Sequence, residues 1–183
     1  MTELVSVLCA APNSVYKRLP DVDVFDEARD ARTFDGSTPI VAHPPCRAWS
    51  AFTRHQAKPG PEEVSLGLWC CERLKSCGGV LEQPAKSHLF QAGGLPLPGN
   101  KLGNLWSIEV WQSWWGYGDR KATWLCFSNV ESNAVQCPIQ LWRPVGRNSI
   151  NHKGSKNQRA ATCEPFAKWL IDIALTVRTG DRR

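Results

Sequence analysis

The chain lacks long apolar runs, paired metal-ligand cysteines and a recognisable leader. No apolar run approaches the roughly 20 residues that cross a bilayer. The first fifteen residues have neither a basic start nor a continuous apolar stretch, so we expect no signal peptide and no membrane partner. The eight cysteines include no Cys-x-x-Cys pair, and Cys70 and Cys71 are adjacent. This spacing predicts reduced thiols in a cytoplasmic protein and no bound metal.

Charge of each sign is concentrated in a different part of the chain. Residues 1–36 carry seven acids and four bases, whereas residues 143–183 carry nine bases and three acids. The basic end indicates a polyanionic partner such as DNA or a nucleotide, although a solvated surface explains the same excess. Nine tryptophans are many for this length. Most must pack in the core, and the others could stack on bases.

The first half of the chain predicts a parallel sheet within a single α/β domain over residues 1–183. Short apolar runs at 4–9, 22–26 and 40–42 are separated by polar turns, which is typical of parallel strands with abbreviated crossovers. Residues 62–76 begin with acids and end with bases, as a helix dipole favours. The next strand then begins at residue 80 and ends in a turn over 82–84.

The second half predicts a hairpin and a final helix. Residues 85–105 are rich in Gly, Pro, Asn and Lys and are expected to form a loop. Residues 108–114 alternate apolar and polar side chains, and 120–127 would form the returning strand. Apolar side chains at helical spacing over 166–177 predict an amphipathic helix, capped by Thr162, that packs on the sheet.

Cys46 ends a rigid turn, His43-Pro44-Pro45-Cys46, that follows the apolar run 39–42. The two prolines restrict the backbone and hold the cysteine side chain in one direction. A cysteine at the carboxyl end of a strand lies where open α/β sheets place their ligands. Cys46 is therefore a candidate nucleophile, with a buried structural cysteine as the alternative. His43 could polarise its thiol or be a hydrogen-bonded structural residue.

Two further groups follow strand ends in chain order: Glu82, in a second Pro-containing turn, and the pair Arg120-Lys121. A thiolate can add to C6 of a pyrimidine ring, and an acid beside N3 stabilises the charge that develops. A nearby base holds phosphate and helps to depress the thiol pKa. One helix and one strand separate Cys46 from Glu82, which fits adjacent strands of a βαβ unit.

Residues 44–50, Pro-Pro-Cys-Arg-Ala-Trp-Ser, resemble the Pro-Pro-Cys-x-x-Phe-Ser nucleophile loop of DNA cytosine-5 methyltransferases. Residues 81–84, Leu-Glu-Gln-Pro, are similar to that family's Glu-Asn-Val or Glu-Asn-Pro segment. Residues 120–125 resemble its Gln-x-Arg-x-Arg strand. Small phage and prophage proteins with a His-Pro-Pro-Cys motif show the same order of motifs, and the likeness covers roughly residues 4–127 and the last helix.

The resemblance implies a trimmed Rossmann-like fold of the class I methyltransferase type, with a mostly parallel sheet. It implies a methyltransferase-like enzyme that modifies a pyrimidine at C5, in DNA or in a nucleotide. Cys46 would be the nucleophile and Glu82 the partner of N3. The substrate-binding residues would be Pro44, Pro45, Trp49, Ser50, Arg120 and Lys121.

The resemblance also implies S-adenosylmethionine as cofactor. Ala11 and Asn13, in the loop after the first strand, would contact it, and Asp26 would bond a ribose hydroxyl unless it is a turn acid. Residues 9–14 contain none of the glycines of the family's cofactor loop. Residues 128–159 are too few to replace the family's target-recognition domain, so sequence-specific DNA reading would be weak or supplied by a partner.

Two other functions fit the same residues. A non-catalytic phage protein could use the fold to hold a nucleotide or to block a host protein, as in counter-defence, and the missing glycines favour this alternative. A base-excising or nucleotide-cleaving enzyme would use Glu82 as acid or base and leave Cys46 dispensable. Trp114-Trp115 could stack on a flipped base or pack in the core, and Lys153, Lys156 and Arg159 could hold a phosphate backbone or belong to a solvated loop.

Overall fold

The computed structural model describes residues 4–51, 58–138, 147–148 and 161–177. Their helices and strands are, in chain order, β1 Val5–Leu8, β2 Val22–Val24, β3 Ile40–Ala42, α1 Pro61–Cys77, β4 Gly79–Pro84, α2 Leu89–Ala92, β5 Lys101–Leu102, β6 Leu105–Trp111, β7 Asp119–Arg120, β8 Ala122–Ser128, β9 Arg147–Asn148 and α3 Glu164–Ala174. Single 3-10 turns lie at Val15–Arg18, Ala31–Thr33, Gln112–Trp115 and Ser132–Ala134.

Seven strands form one mixed sheet in the order β2-β1-β3-β4-β8-β6-β5. Strands β2, β1, β3 and β4 are parallel to one another. Strand β8 is antiparallel to both β4 and β6, and β5 is antiparallel to β6. The predicted α/β class is therefore confirmed, with a parallel half built from the first four strands and an antiparallel half built from the later ones. Strands β7 and β9 form a separate parallel pair.

Helices α1 and α3 cover opposite faces of the sheet. Successive side chains of a strand point to opposite faces, so a central strand such as β3 or β4 packs against both helices. Both faces are apolar, and each forms its own cluster of buried side chains. The cluster on the α3 face includes Val7, Val41, Val80, Leu125, Phe166 and Leu170. The cluster on the α1 face includes Leu8, Ile40, Ala42, Leu81, Cys70 and Leu74. In the described ranges, no helix is both long and apolar enough to cross a membrane.

The two long helices lie where the sequence placed them, and one predicted cap is wrong. Helix α1 has Glu62 and Glu63 in its first turn and ends at Gly78, whose positive φ of 78° closes the helix. Helix α3 has Cys163 rather than Thr162 at its N-cap, and no side chain caps it. The cap residue's own carbonyl accepts the N–H of Ala167 at 3.0 Å.

Three predicted loop and strand boundaries differ from the structure. Strand β2 ends at Val24, because Asp26 begins a turn in which its carboxylate accepts two backbone N–H groups. The predicted loop over 85–105 contains helix α2 and strand β5. The predicted strand over 108–114 starts earlier, as β6, and ends at Trp111.

The predicted hairpin is confirmed in part. Strands β6 and β8 pair antiparallel, with Trp111 opposite Ala122. The chain between them makes a 3-10 turn that Gly116 closes with a φ of 86°. Arg120 does not belong to the returning strand, because β7 pairs instead with β9 in the small second sheet.

Replacing Gly79 by alanine should destabilise the sheet severely. Gly79 has a φ of 118°, and a Cβ atom there would lie 2.0 Å from the Ile40 carbonyl oxygen of the neighbouring strand. We expect Gly79→Ala to lower the free energy of unfolding by about 3 kcal/mol or more, measured by urea denaturation. Gly118→Ala is the control, because nothing lies within 4 Å of its Cβ position, and it should change stability by less than about 0.5 kcal/mol. Equal stabilities of the two variants would contradict this account.

Candidate active site

The carboxyl edge of the sheet is defined here as the ends of β1, β3, β4 and β6 together with the start of β8. At this edge Ala42 of β3 lies beside Leu81 of β4, so the next residues, His43 and Glu82, are also neighbours. The Pro-Pro-Cys turn therefore begins next to the predicted carboxylate. This juxtaposition follows from the parallel pairing of β3 and β4, as the spacing of the two motifs predicted.

Hydrogen bonds hold the turn that presents Cys46. Gln83 Nε2 donates to the Pro44 carbonyl oxygen at 2.6 Å, and Gln83 is buried. The Cys46 carbonyl oxygen accepts the N–H groups of Trp49 at 3.0 Å and Ser50 at 2.8 Å, which curls the chain directly after the cysteine. Cys46 itself is exposed. The turn thus places Cys46 at the surface of the carboxyl edge, while hydrogen bonds hold the backbone of the turn.

Trp49 supports this turn from the α1 side. A Cβ atom on Gly67 of α1 would lie 2.4 Å from the Trp49 indole nitrogen, so the ring packs directly on the helix at its glycine. Trp49 is partly buried and packs against the cluster on the α1 face. Its substrate contact stays a prediction, and the structure shows a packing role for the same side chain.

Glu82 is the most constrained charged group at this edge, with 8 % of its surface exposed. Glu82 Oε2 lies 3.1 Å from His43 Nδ1, and Glu82 Oε1 accepts from Gln112 Nε2 at 3.2 Å. The same Gln112 nitrogen donates to Thr123 Oγ1 at 3.1 Å. Each carboxylate oxygen therefore has a donor within the protein. The Glu82 carboxylate is held in one orientation by His43 and Gln112, and Gln112 is held in turn by Thr123.

The pKa of Glu82 lies below its usual value although the group is buried. Burial acts to raise the pKa, since it penalises the charged form. The hydrogen bond from His43, the charges of Lys121 and His43, and the hydrogen bond from Gln112 act in the opposite direction and outweigh it. Glu82 is therefore a carboxylate at neutral pH, suited to accept a hydrogen bond or to stabilise positive charge.

His43 uses both ring nitrogens within the protein. Its Nε2 lies 2.9 Å from the Tyr16 hydroxyl, and its Nδ1 faces Glu82. No ring nitrogen is left for the Cys46 thiol, so the geometry favours the structural alternative for His43. Tyr16 is 1 % exposed and comes from the 3-10 turn after β1. Its hydroxyl is tied through His43 to the end of β3, which lies beside β1 where the direction of strand order reverses, the position at which open sheets bind ligands.

Of the two predicted bases, Lys121 lies near the carboxylate. Its charge lowers the pKa of Glu82. Its Nζ donates to the Ala161 carbonyl oxygen at 3.3 Å and lies 5.5 Å from the centre of the Tyr117 ring. Arg120 lies on β7, where its Nε atom is buried without a hydrogen-bond partner among the described residues. Phosphate binding by either side chain stays a prediction.

The predicted cofactor residues do not form a cradle at the edge. Ala11 and Asn13 are exposed in the turn after β1. The Asp26 carboxylate accepts from Lys17 Nζ at 2.5 Å and from the N–H groups of Ala28 and Arg29. The hydrogen bonds from Lys17 and Arg29 lower the pKa of Asp26. These contacts are those of a turn acid, so the residues present do not fit the adenosyl cofactor that the resemblance implies.

The eight cysteines, which all lie in the described part of the chain, form no disulfide. Burial raises the pKa of the Cys71 thiol to about 12 and that of Cys126 to about 11. Cys46 is the exposed member of the set. Within the described ranges, no cluster of three His, Cys, Asp or Glu side chains could hold a metal ion.

Two further predictions concern aromatic and basic residues. Trp115 packs in the core, with its ring centre 4.9 Å from Phe166 and 4.5 Å from Trp169. The packing alternative therefore holds for Trp115. Lys153, Lys156 and Arg159 lie outside the described residues. Their proposed contact with a phosphate backbone stays a prediction.

A cavity of about 570 Å³ lies at the opposite edge of the sheet, where β6 begins and β8 ends. Residues from 99–108 and 129–132 line it, and the predicted catalytic, substrate and cofactor residues do not contribute to that lining. The chemistry of the side chains, rather than the size of a cavity, therefore locates the candidate site.

Sequence reasoning missed three residues of the Glu82 network: Tyr16, Gln112 and Thr123. Gln112 carried one weak signal, because it continues the buried side of β6 two positions after Val110, where an apolar side chain is expected. Tyr16 and Thr123 carried none, since each meets the network only through the tertiary packing of strands that are distant in sequence.

Comparisons of the chain with protein-family models, with curated protein sequences and with solved structures gave no match. The function is therefore argued from the geometry and chemistry of this site.

Replacing Glu82 by glutamine should destabilise the protein at neutral pH. The amide nitrogen of the new side chain would face a donor, either His43 Nδ1–H or Gln112 Nε2–H, and leave a buried donor unpaired. We expect a loss of about 1–3 kcal/mol at pH 7 by urea denaturation. Glu109→Gln is the matched control, because Glu109 is exposed and accepts from Trp124 Nε1 through an oxygen that glutamine retains.

The stability difference between wild type and Glu82→Gln should depend on pH. The pKa of Glu82 is lowered in the folded state, so its carboxylate stabilises the fold above the usual glutamate pKa of about 4.3. This stabilisation is lost as the pH falls through the lower folded pKa. The stability difference between wild type and Glu82→Gln should therefore shrink from pH 7 towards acid. A difference that is constant or absent at all pH values would show that Glu82 is not held as the structure describes.

Proposed function

We propose that this protein modifies a pyrimidine ring at C5, in DNA or in a nucleotide, through a covalent adduct between Cys46 and C6. The observation that carries the proposal is the pairing of an exposed cysteine on a fixed turn with a buried carboxylate on the next parallel strand. The resemblance of residues 44–50 and 81–84 to the cytosine-5 methyltransferases supports the same roles.

The chemistry assigns one task to each group. The Cys46 thiolate attacks C6 and forms a carbon–sulfur bond, and the electron pair of the C5–C6 double bond moves into the ring. Glu82, as a carboxylate, accepts a hydrogen bond from N3–H, so the reacting ring is one that carries a proton on N3, either a uracil-type base or a cytosine protonated there. The activated C5 then displaces the leaving group of an alkyl donor and bonds to the donor's electrophilic carbon. A base from the solvent takes the C5 proton, the carbon–sulfur bond breaks, and the double bond and the enzyme thiolate are restored.

The electrophilic carbon belongs to an alkyl donor that carries a leaving group. The resemblance implies S-adenosylmethionine, but Asp26 is engaged by Lys17 and the Tyr16 hydroxyl by His43. No step is therefore assigned through that cofactor. Pro44 and Pro45 shape the turn, and Ser50, Arg120 and Lys121 are proposed to hold the substrate at the carboxyl edge.

We also propose a particular fold within the α/β class. A trimmed Rossmann-like domain of the class I methyltransferase type is supported by the β2-β1-β3-β4 order of the parallel half and by helices on both faces. The basic end of the chain supports DNA or a nucleotide as the partner. Cytoplasmic location and a host protein partner stay predictions.

Nucleoside mass spectrometry tests the proposal. DNA and nucleotide pools would be compared between cells expressing the wild type, Cys46→Ser, Glu82→Gln or Cys137→Ser. We expect a new pyrimidine mass with the wild type and with Cys137→Ser, and its loss with Cys46→Ser. Cys137 is the matched control, because it is a half-buried thiol that belongs to none of the strand ends forming the carboxyl edge. Glu82→Gln should reduce the product about 100-fold, the usual scale of a lost acid–base partner.

Thiol alkylation gives an independent check on Cys46. The exposed thiol should react faster with iodoacetamide than the buried Cys70, Cys71 and Cys126, whose pKa values burial raises. A nucleotide that occupies the site should protect Cys46. Modification that persists in Cys46→Ser but disappears in Glu82→Gln would contradict the adduct and favour base excision or nucleotide cleavage by Glu82.

A second candidate is a non-catalytic nucleotide-binding protein on the same fold. The engagement of Asp26 by Lys17 favours it, because it occupies the carboxylate that the ribose of a cofactor would need. Identical nucleoside profiles for all four proteins, together with nucleotide protection of Cys46 from alkylation, would support this function and overturn the first.

A further inference from the structure

Glu82 fixes the direction of its own two hydrogen bonds in the chain that runs from Tyr16 to Thr123. Glu82 is a carboxylate and can only accept, so His43 Nδ1 must carry the proton that lies between them. In a neutral ring His43 Nε2 then accepts, and the Tyr16 hydroxyl donates to it across 2.9 Å. On the other side Gln112 Nε2 donates to both Glu82 Oε1 and Thr123 Oγ1. This assignment leaves every polar contact of the carboxylate satisfied.

Tyr16 is well suited to stay the donor of this chain. It is buried, and burial together with the charges of Glu82 and Cys163 raises the pKa of its hydroxyl well above the usual value. The hydroxyl therefore remains protonated and can donate to His43 Nε2 while Nδ1 faces Glu82. This second contact anchors the His43 ring in the orientation that points Nδ1 at Glu82.

We propose that His43 is a positioning residue for the reaction: the Tyr16 hydroxyl holds its Nδ1–H towards Glu82, and this contact fixes the carboxylate at the edge where Cys46 lies. The inference rests on the proposed function, and it assigns to His43 and Tyr16 a role that neither motif suggested. His43 acts through Glu82 and does not touch the substrate. Its second nitrogen is occupied by Tyr16, so it cannot also serve as the base for the thiol.

Several titratable groups surround Glu82 and enter its pH behaviour. His43 faces it from the end of β3, Lys121 from the chain between β7 and β8, and Tyr16 from the turn after β1. Cys163, which precedes α3, interacts electrostatically with Tyr16. Among these, only His43 and Tyr16 are joined to the carboxylate by a continuous path of hydrogen bonds.

Nuclear magnetic resonance tests the arrangement without requiring activity. Long-range 15N–1H spectra of the wild type should show the His43 proton on Nδ1, and Tyr16→Phe should keep it there while the Nε2 resonance moves downfield, because that nitrogen loses its donor. A 13C titration of the Glu82 carboxyl should show a higher pKa in His43→Leu than in the wild type. His43→Asn should stay nearer the wild type, because its amide nitrogen lies where Nδ1 was and can still donate. His88→Asn is the control and should change neither spectrum.

Activity supplies the second readout. Product formation should fall about ten-fold or more in His43→Leu and recover towards the wild type in His43→Asn, which restores the donor alone. The pH at which activity is lost on the acid side should move upward in His43→Leu, in parallel with the Glu82 titration. A purely structural role would not shift this pH.

Three results would overturn the inference: a wild-type Nε2–H tautomer, a Glu82 titration that is the same in His43→Leu and wild type, or a His43→Asn variant no better than His43→Leu. If His43→Leu does not fold, the wild-type tautomer and the Tyr16→Phe spectrum still decide the question. A wild type that forms no product while the spectra agree would contradict the proposed function and leave the hydrogen-bond chain established.

Discussion

The buried carboxylate of Glu82 sets the strictest requirement in this structure. An ionised group removed from water costs several kcal/mol unless charges and donors replace its hydration. Here His43, Gln112 and Lys121 replace it, and they come from the end of β3, the turn after β6 and the start of β8. Satisfying one carboxylate therefore ties together the parallel and antiparallel halves of the sheet at a single edge.

Strand β4 divides the candidate site between the two faces of the sheet. Because side chains alternate along a strand, Glu82 and Gln83 point to opposite faces. Glu82 meets the polar network on the α3 face, while Gln83 fixes Pro44 on the α1 face. Two consecutive residues thus hold both components of the proposed chemistry, the carboxylate and the turn that carries Cys46. This explains how short turns can present a cysteine without a separate supporting domain.

Much of the fold follows from local patterns in the sequence. The apolar runs of β1, β3 and β4 and the periodicity of α1 and α3 reflect burial that each segment needs on its own. Local patterns failed where a distant contact decides the outcome. Cys163 replaces Thr162 as the cap of α3, and Arg120 pairs with β9 rather than continuing β8. The order of β8 between β4 and β6 likewise depends on pairing across the sheet, which periodicity does not encode.

The sequence by itself determined the α/β class, the rigid turn at Cys46 and the proximity of that turn to Glu82, because proline geometry and parallel strand spacing are local constraints. Only the tertiary structure decided what surrounds the carboxylate. Tyr16 and Thr123 are 107 residues apart in the sequence, and they meet Gln112 because β1 and β6 end, and β8 begins, at one edge of the sheet. It also decided that Asp26 is a turn acid, since Lys17 lies on it. A buried polar group selects its partners in three dimensions, so their identity appears only once the sheet is assembled.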